Sequence, residues 1–330
     1  MKRCAIEGVN LGGWLLLERW MTPSVFSGSG AEDEYTLSGQ PGMKERIDEH
    51  RKTFITEEDW QWLSLNNVTH VRLPVGYWVL KGDGPYYNAK KYLDLAFNMA
   101  EKYKINILLD LHGLKGSQNG EMHSGRQGLV DWKRYKDIHL KVVESLAIRY
   151  KNSPSFWGLE IINEPRVWGN YFALLGYYRK AYKKLRKIVR PGTYIVFQDG
   201  FLPPLFSGTL SKRKDYPVAM DTHFYLIFPK LLQRMSATRY DILRKLLYAS
   251  LVWTTRLNQP IIIGEWSSVL PQSFFDRVHR AKHMKLLRET IVRQRVMYKY
   301  ATATFYWSYK TEGRGMYHYR SLVEDGVITR

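Results

Sequence analysis

The chain has 330 residues, of which 45% are hydrophobic and 25% are charged, a balance that allows a sizeable core and excludes an intrinsically disordered protein. No apolar run reaches the roughly 18 residues that would span a bilayer, and the one cysteine, Cys4, excludes an internal disulfide framework and a cysteine-based zinc site. The net charge of +19 leaves open a negatively charged partner, such as a nucleic acid or an acidic surface.

Strand and helix patterns alternate along the chain. Apolar runs rich in β-branched residues predict strands at residues 5–10, 69–75, 105–112, 159–164, 194–198, 218–225, 260–265 and 303–308. Helical periodicity predicts helices at residues 56–66, 90–103, 132–150, 171–189, 239–257, 274–300 and 320–324. Two stretches rich in glycine and polar residues, 27–42 and 113–129, are predicted to be loops.

Eight such cycles, without a sequence repeat or a proline-rich linker, predict an α/β fold with a single (β/α)8 TIM barrel over residues 1–330. The competing architecture is an open, doubly wound sheet. That fold would place a glycine-rich phosphate turn after an early strand, and no G-x-G-x-x-G motif is present. We therefore expect the barrel.

The positive charge falls largely in stretches with helical periodicity, including residues 179–187 and 277–299. Apolar residues recur there at the spacing of one helix face, which favours outer helices with basic, solvated faces. We therefore expect no nucleic-acid partner and at most weak affinity for anionic surfaces. Residues 1–4 lack signal-peptide features, so the sequence is compatible with a cytoplasmic protein or with a secreted one whose leader has been removed.

Two glutamates lie at the carboxyl ends of apolar strands, in the stretches LEIINEP (159–165) and PIIIGEW (260–266). Pro165 has no amide hydrogen, so the first strand is predicted to end at Glu164. The carboxyl ends of barrel strands share one face, where Glu164 and Glu265 would meet and could supply acid/base chemistry. Each alone could be an ordinary acid in a solvated loop; the pairing favours chemistry.

Six further polar or aromatic residues are predicted at the same strand ends. Burying such groups unpaired would cost several kcal/mol, so they would satisfy one another or a ligand. Each alone could serve packing or an ion pair, whereas eight residues on one face favour a binding cleft. The six are Arg72, His112, Asn163, His223, Tyr225 and Trp307.

Nine short segments carry a family resemblance. In chain order they are GVNLGGW (8–14), WMTPS (20–24), HVRLP (70–74), LHG (111–113), GSQNG (116–120), NEP (163–165), HFY (223–225), GEW (264–266) and WSYKTE (307–312). A single tripeptide would be a weak signal, but the ordered set is specific. On these motifs the chain resembles glycoside hydrolase family 5, and within it the branch of exo-β-1,3-glucanases and β-glucosidases.

The resemblance implies that Glu164 is the acid/base and Glu265 the nucleophile of a retaining glycosidase, whose carboxyl groups lie about 5–5.5 Å apart. Arg72 and Tyr225 would donate hydrogen bonds to Glu265 and favour its anionic form. Glu164 would need a raised pKa so that it starts protonated, and the nearby charge of Glu265 would raise it. Asn163 would hold the sugar 2-hydroxyl.

The resemblance also implies the walls of the sugar pocket. His112 and His223 would order substrate hydroxyls and the acid/base, and Trp307 would form the floor under the sugar ring. Glu18, with Trp20 beside it, matches an acid that grips the far hydroxyls of a terminal glucose in this branch. Asn119, His123 and Phe228 complete the expected substrate-binding residues.

One segment departs from the branch. After Gly120 the branch usually has an aromatic residue followed by Asp and Asn, which help to close the pocket and to clamp the next sugar. This chain has Glu121, Met122 and His123 at these positions. The departure leaves strict glucose specificity and the β-1,3 linkage open.

The principal hypothesis is therefore a retaining β-glycosidase, a β-glucosidase or exo-β-1,3-glucanase, that acts on a β-linked glucoside or oligosaccharide as a monomer, with no metal and no cofactor. Within the same family, an endo-acting β-glucanase or mannanase is the alternative. A non-catalytic carbohydrate-binding barrel is a second class, disfavoured because both carboxylates are present. A nucleic-acid or anionic-surface binder is a third class, which rests on charge alone.

Overall fold

The computed structural model describes residues 6–210, 215–223, 225, 259–270 and 282–329, together with residues 242, 245–246, 249, 275–276 and 279. Within these residues, eight parallel strands close into a barrel in sequence order. They are β1 (Ile6–Asn10), β2 (His70–Gly76), β3 (Asn106–Gly113), β4 (Phe156–Glu160), β5 (Tyr194–Gln198), β6 (Val218–His223), β7 (Ile261–Trp266) and β8 (Ala303–Tyr306). The first strand pairs with the last, so the predicted (β/α)8 barrel is confirmed.

Helices cover the outside of the barrel. The described α-helices span Pro23–Phe26, Glu34–Ser38, Met43–Thr53, Glu57–Leu65, Lys90–Tyr103, Lys136–Tyr150, Tyr171–Leu185, Pro203–Phe206, His283–Met297 and Tyr319–Glu324, and two 3₁₀ turns span Met122–Ser124 and Trp132–Tyr135. Most of the helix predicted at 239–257, and most of the first eight residues of the one predicted at 274–300, lie outside the described residues. No helix in the described part of the chain combines the length and apolar character that a membrane crossing needs.

Local sequence signals explain the start of one helix and the buried face of another. The backbone N–H of Thr56 donates to Asp59 Oδ2 over 2.9 Å, which completes a capping box at the start of the helix Glu57–Leu65. The helix Lys90–Tyr103 buries five side chains along one face against the barrel, as its period predicts.

Several predicted boundaries are wrong, including those of a loop and of the strand before Glu164. The segment 27–42, predicted as a loop, contains the helix Glu34–Ser38, because Asp33 Oδ1 accepts a hydrogen bond from the Thr36 amide over 2.8 Å and caps it. The helix Met43–Thr53 follows without having been predicted. The strand predicted at 159–164 ends at Glu160, so Glu164 stands four residues beyond the ladder.

Inside the barrel, apolar side chains lie towards the amino ends of the strands and charged side chains lie towards their carboxyl ends. Leu108, Val196, Ala219, Ile262, Ala303 and Phe305 form a closed apolar layer, and Arg72, Asp110, Glu160 and Asp221 are buried alongside them. Buried charges of this kind are tolerated only when they are paired. The polar layer therefore marks the end of the barrel where chemistry is to be sought.

Candidate active site

Arg72, on β2, is the centre of a buried ion network. Its Nε donates to Glu160 over 2.8 Å, its Nη1 to Glu265 over 2.9 Å, and its Nη2 lies 2.9 Å from Asp110. Burial opposes the guanidinium charge, but these carboxylates and Asp221 raise the pKa of Arg72 well above its ordinary value. The strand register explains the cluster, because Asp110 of β3 stands opposite Glu160 of β4.

Glu265, on β7, is held by two donors. Its Oε1 accepts from Arg72, and its Oε2 accepts from the Tyr225 hydroxyl over 3.2 Å. Its side chain is 7% exposed, so one edge of the carboxylate still reaches the pocket. Two fixed donors stabilise the negative charge that a nucleophilic carboxylate carries.

Glu164 has an unusual backbone conformation beyond the end of β4. Its φ is +38°, in the left-handed region that costs a residue other than glycine about 1–3 kcal/mol. Its Oε1 lies 2.6 Å from His223 Nδ1, and its Oε2 lies 3.1 Å from His123 Nε2. The surrounding hydrogen bonds therefore hold a strained residue in one orientation.

The two glutamates face one another. One carboxylate oxygen of Glu164, one ring nitrogen of His223 and one carboxylate oxygen of Glu265 all lie within 4.8 Å of one another. In double displacement, one carboxylate attacks the sugar carbon while the other carboxyl group protonates the leaving oxygen. This arrangement requires about 5–5.5 Å between the two carboxyl groups. The geometry therefore suits double displacement better than the wider gap of about 6.5–9.5 Å that a single displacement needs.

The pKa of Glu164 is shifted in the direction opposite to the one expected. Burial raises it, but hydrogen bonds from His123 and His223, together with their positive charge, hold the pKa of Glu164 well below its usual range. Burial lowers the pKa of His123, yet the contact with Glu164 raises it to about 9. The expectation of a raised pKa for Glu164 is therefore wrong, because it counted the charge of Glu265 and left out the two imidazoles.

A hydrogen-bond chain orients Asn163. The Nδ1–H of His112 donates to Asp110 Oδ2 over 2.6 Å, which leaves Nε2 as an acceptor for the Asn163 amide at 3.2 Å. Arg72 Nη2 donates to Asn163 Oδ1 over 2.8 Å. Asn163 therefore keeps its amide nitrogen turned towards His112.

A pocket of about 640 Å³ opens above the network, a size that suits a small ligand. The Trp307 ring is stacked on His112, with 5.7 Å between ring centroids and 12° between planes. The pocket is lined by Glu18, Trp20, His112, Glu121, His123, Glu164, Phe201, Tyr225, Glu265, Trp307 and Tyr317. An indole face beside two carboxylates offers an apolar surface and charge to the same ligand.

Glu18 and Trp20 are hydrogen-bonded to each other in the pocket wall. The Trp20 indole N–H donates to Glu18 Oε2 over 2.8 Å, and the Trp20 ring packs edge-on against Tyr317 with 4.9 Å between centroids. Glu18 is 4% exposed, and burial raises its pKa. This acid can accept hydrogen bonds from ligand hydroxyls without meeting bulk water.

Among the described residues, two groups of side chains bring carboxylate and imidazole atoms close enough to approach a cation: Glu160, Asp221 and His223, and Glu164, His223 and Glu265. Arg72 and the imidazoles already compensate these carboxylates. We therefore assign both groups to the ion network rather than to a metal.

The sequence of the chain matches a known protein family. The family model described as Cellulase (glycosyl hydrolase family 5) matches residues 36–313, most of the chain. The chain belongs to glycosyl hydrolase family 5.

Several curated proteins are similar to the chain in sequence. A probable glucan 1,3-beta-glucosidase A of Aspergillus niger is 34% identical over 278 residues, which are 80% of this chain and 65% of the relative. A protein of the same name from Aspergillus terreus is 36% identical over 280 residues, with 80% and 66% covered. A glucan 1,3-beta-glucosidase of Blumeria graminis is 28% identical, with 98% and 86% covered. The chain thus spans about two thirds of the length of the two Aspergillus proteins.

Solved structures show the same fold at lower identity. Rutinosidase from Aspergillus niger superposes with a TM-score of 0.82 at 21% identity and covers 99% of both chains. An endoglucanase from Thermotoga maritima superposes with a TM-score of 0.61 at 18% identity, with 92% of this chain and 89% of that chain covered.

Most residues expected from the family 5 resemblance lie in or directly below the pocket. Arg72, Asn163 and His223 are buried and contact residues that line the pocket, and Asn119 donates to the carbonyl of the lining residue Glu164 over 3.0 Å. Phe228 lies outside the described residues. Their roles stay predictions.

Several residues of the site were not predicted. Phe201 and Tyr317 line the pocket from loops without a family motif, and no sequence pattern pointed to either residue. Asp110, Glu160 and Asp221 partner Arg72, and acids inside otherwise apolar strands were a signal that could have found them.

Proposed function

We propose that this family 5 protein is a retaining β-glycosidase that removes terminal β-linked glucose from β-glucosides or β-1,3-glucans. The observation that carries the proposal is the pair of oxygens of Glu164 and Glu265 within 4.8 Å of each other. The names of the curated relatives support a glucan substrate. The indole of Trp307 beside the pair supports a sugar ring as the bound group.

In the first step, Glu265 attacks the anomeric carbon while Glu164 gives a proton to the leaving oxygen. The carbon–oxygen bond to the leaving group breaks, its electron pair stays on that oxygen, and a glycosyl ester forms on Glu265. In the second step, Glu164 takes a proton from water, the water oxygen attacks the anomeric carbon, and Glu265 is released as a carboxylate. Arg72 and Tyr225 stabilise the carboxylate before and after the cycle.

Exo action is supported by the wall that Glu18 and Trp20 form. A buried acid held by an indole N–H over 2.8 Å can accept hydrogen bonds from the far hydroxyls of a terminal glucose. A chain that continued beyond those hydroxyls would have to displace this contact. The site would therefore release glucose units from a chain end.

The test is the first product formed from laminarihexaose. We expect glucose and laminaripentaose, because only the terminal sugar fits beside Glu18; laminaribiose or laminaritriose as the first small product would contradict exo action.

Glu18→Gln should lower kcat/KM by about 10- to 100-fold, since a hydrogen bond to a charged group is worth about 1.5–3 kcal/mol. The control is Glu32→Gln, an exposed acid paired with Arg19, which should keep the wild-type rate.

A further inference from the structure

His123 stands against the carboxylate of Glu164 in the segment that departs from the family branch. It lies in the 3₁₀ turn Met122–Ser124, and its Nε2 is 3.1 Å from Glu164 Oε2. Its side chain is 20% exposed and that of Glu164 is 13% exposed, so the contact is largely shielded from water. The His123 imidazole, which can carry a proton, therefore contacts Glu164 Oε2, whereas His223 contacts Glu164 Oε1.

Asn119 fixes the environment of the same imidazole nitrogen. The Glu121 amide donates to Asn119 Oδ1 over 2.9 Å, and Asn119 Nδ2 donates to the Glu164 carbonyl over 3.0 Å. These two contacts set the orientation of the amide. The Nδ2 group also lies 2.8 Å from His123 Nε2, and it can donate there only when Nε2 carries no hydrogen.

Charged and titratable groups face this pair from several strands. His223 contacts the other oxygen of Glu164 at 2.6 Å, and the His112 ring lies edge-on to His123 with 5.4 Å between centroids. The charges of Glu18 and Glu265 add to that of Glu164 in raising the pKa of His123 to about 9, against the effect of burial. Three carboxylates and two further imidazoles therefore surround one exchangeable proton.

We propose that His123 is a positioning residue for the proton of Glu164, such that the two side chains hold one transferable proton between them and keep leaving-group protonation available into alkaline solution. The inference rests on the proposed function. A proton that starts on His123 Nε2 crosses 3.1 Å to Glu164 Oε2 and then passes to the leaving oxygen as its bond to carbon breaks. Asn119 favours the form with the proton on Glu164, because its amide can then donate to the bare Nε2.

The pH profile separates this role from a structural one. With an alkyl β-glucoside, whose poor leaving group needs a proton, His123→Asn should move the alkaline limb of kcat/KM to lower pH by about one unit or more. With a dinitrophenyl β-glucoside, which leaves without a proton, the variant should keep the wild-type limb. Met122→Ala, in the same turn, should keep the wild-type profile with both substrates, and a matching thermal midpoint for His123→Asn would verify that it folds.

A titration that needs no turnover supplies the second measurement. The imidazole NMR signals of His123 should titrate at about pH 9 in the wild type, and Glu164→Gln should lower that midpoint by about one unit or more. His123→Asn that hydrolyses the alkyl glucoside with an unshifted limb, or a wild-type His123 that titrates near its ordinary pKa of about 6.5, would overturn the inference and leave the proposed function intact. A wild type that hydrolyses no β-glycoside would overturn both.

Discussion

Replacing Glu265 with glutamine is expected to lower kcat/KM for a nitrophenyl β-glucoside by about 10⁴-fold or more, because an amide cannot form the glycosyl ester. In the wild type, Arg72 Nη1 donates to Glu265 Oε1 over 2.9 Å. Glutamine keeps the volume of the side chain and an oxygen that can accept this hydrogen bond. The fold should therefore survive, and the thermal midpoint should change little. Steady-state rates on the purified variant provide the measurement.

A matched variant at the partner glutamate sharpens this result. Glu164→Gln should lose activity strongly on an alkyl glucoside and much less, in the first step, on a dinitrophenyl glucoside, since only the former needs a proton. Glu265→Gln should be inactive on both. A Glu265→Gln rate within about tenfold of the wild type would show that another group is the nucleophile.

Arg72→Met is expected to cost about 3–5 kcal/mol of unfolding free energy, because it leaves buried carboxylates without their cation. Arg72 is fully buried, with Asp110, Glu160 and Glu265 all within 2.9 Å of its nitrogens. Urea unfolding of the wild type and the variant gives the difference. Activity should be lost as well, since Glu265 and Asn163 lose a donor.

The cost of Arg72→Met should depend on pH. Burial and neighbouring acids already raise the pKa of Glu160 well above its usual range, and without the cation it would rise further. A carboxyl whose folded pKa exceeds its unfolded pKa stabilises the fold at low pH and loses that contribution as pH rises, so the deficit should be larger at about pH 8 than at about pH 5.

An arginine elsewhere provides the control. Arg149 makes a two-pronged ion pair with Asp94 at 2.6 and 2.7 Å, but its side chain is 35% exposed. Arg149→Met should therefore cost less than about 1 kcal/mol. Equal losses for the two variants would mean that the buried network does not stabilise the barrel.

The sequence predicted the barrel because its strands are short, apolar and separated by amphipathic helices, and this periodicity survives in one chain without an alignment. The strand Tyr194–Gln198 has the predicted bounds. The segment 27–42 was harder, because the helix Glu34–Ser38 has five residues, too few to show a period. Its stability comes from a cap at Asp33 and from the buried ion pair of Glu34 with Arg51 at 2.9 Å, which joins residues distant in sequence.

The site divides in the same way. Glu164 and Glu265 could be found because each follows an apolar run, and strand ends share one face of a barrel. The partners of Arg72 depend on strand register, as in the pairing of Asp110 with Glu160, which no local pattern encodes. The predicted direction of the pKa shift of Glu164 is wrong for the same reason: His123 contacts Glu164 from a loop about forty residues earlier in the chain, and no local pattern reveals that contact.

The most direct test of the central claim, that Glu265 attacks a sugar while Glu164 faces it, is peptide mapping after inactivation with a deoxyfluoroglucoside that bears a good leaving group. Such a compound slows breakdown of the glycosyl ester, so the ester accumulates on the nucleophile. We expect the added sugar mass on the peptide that contains Glu265, and on that residue within it. Sugar on Glu164, or no covalent adduct while the enzyme still hydrolyses the compound, would contradict the mechanism.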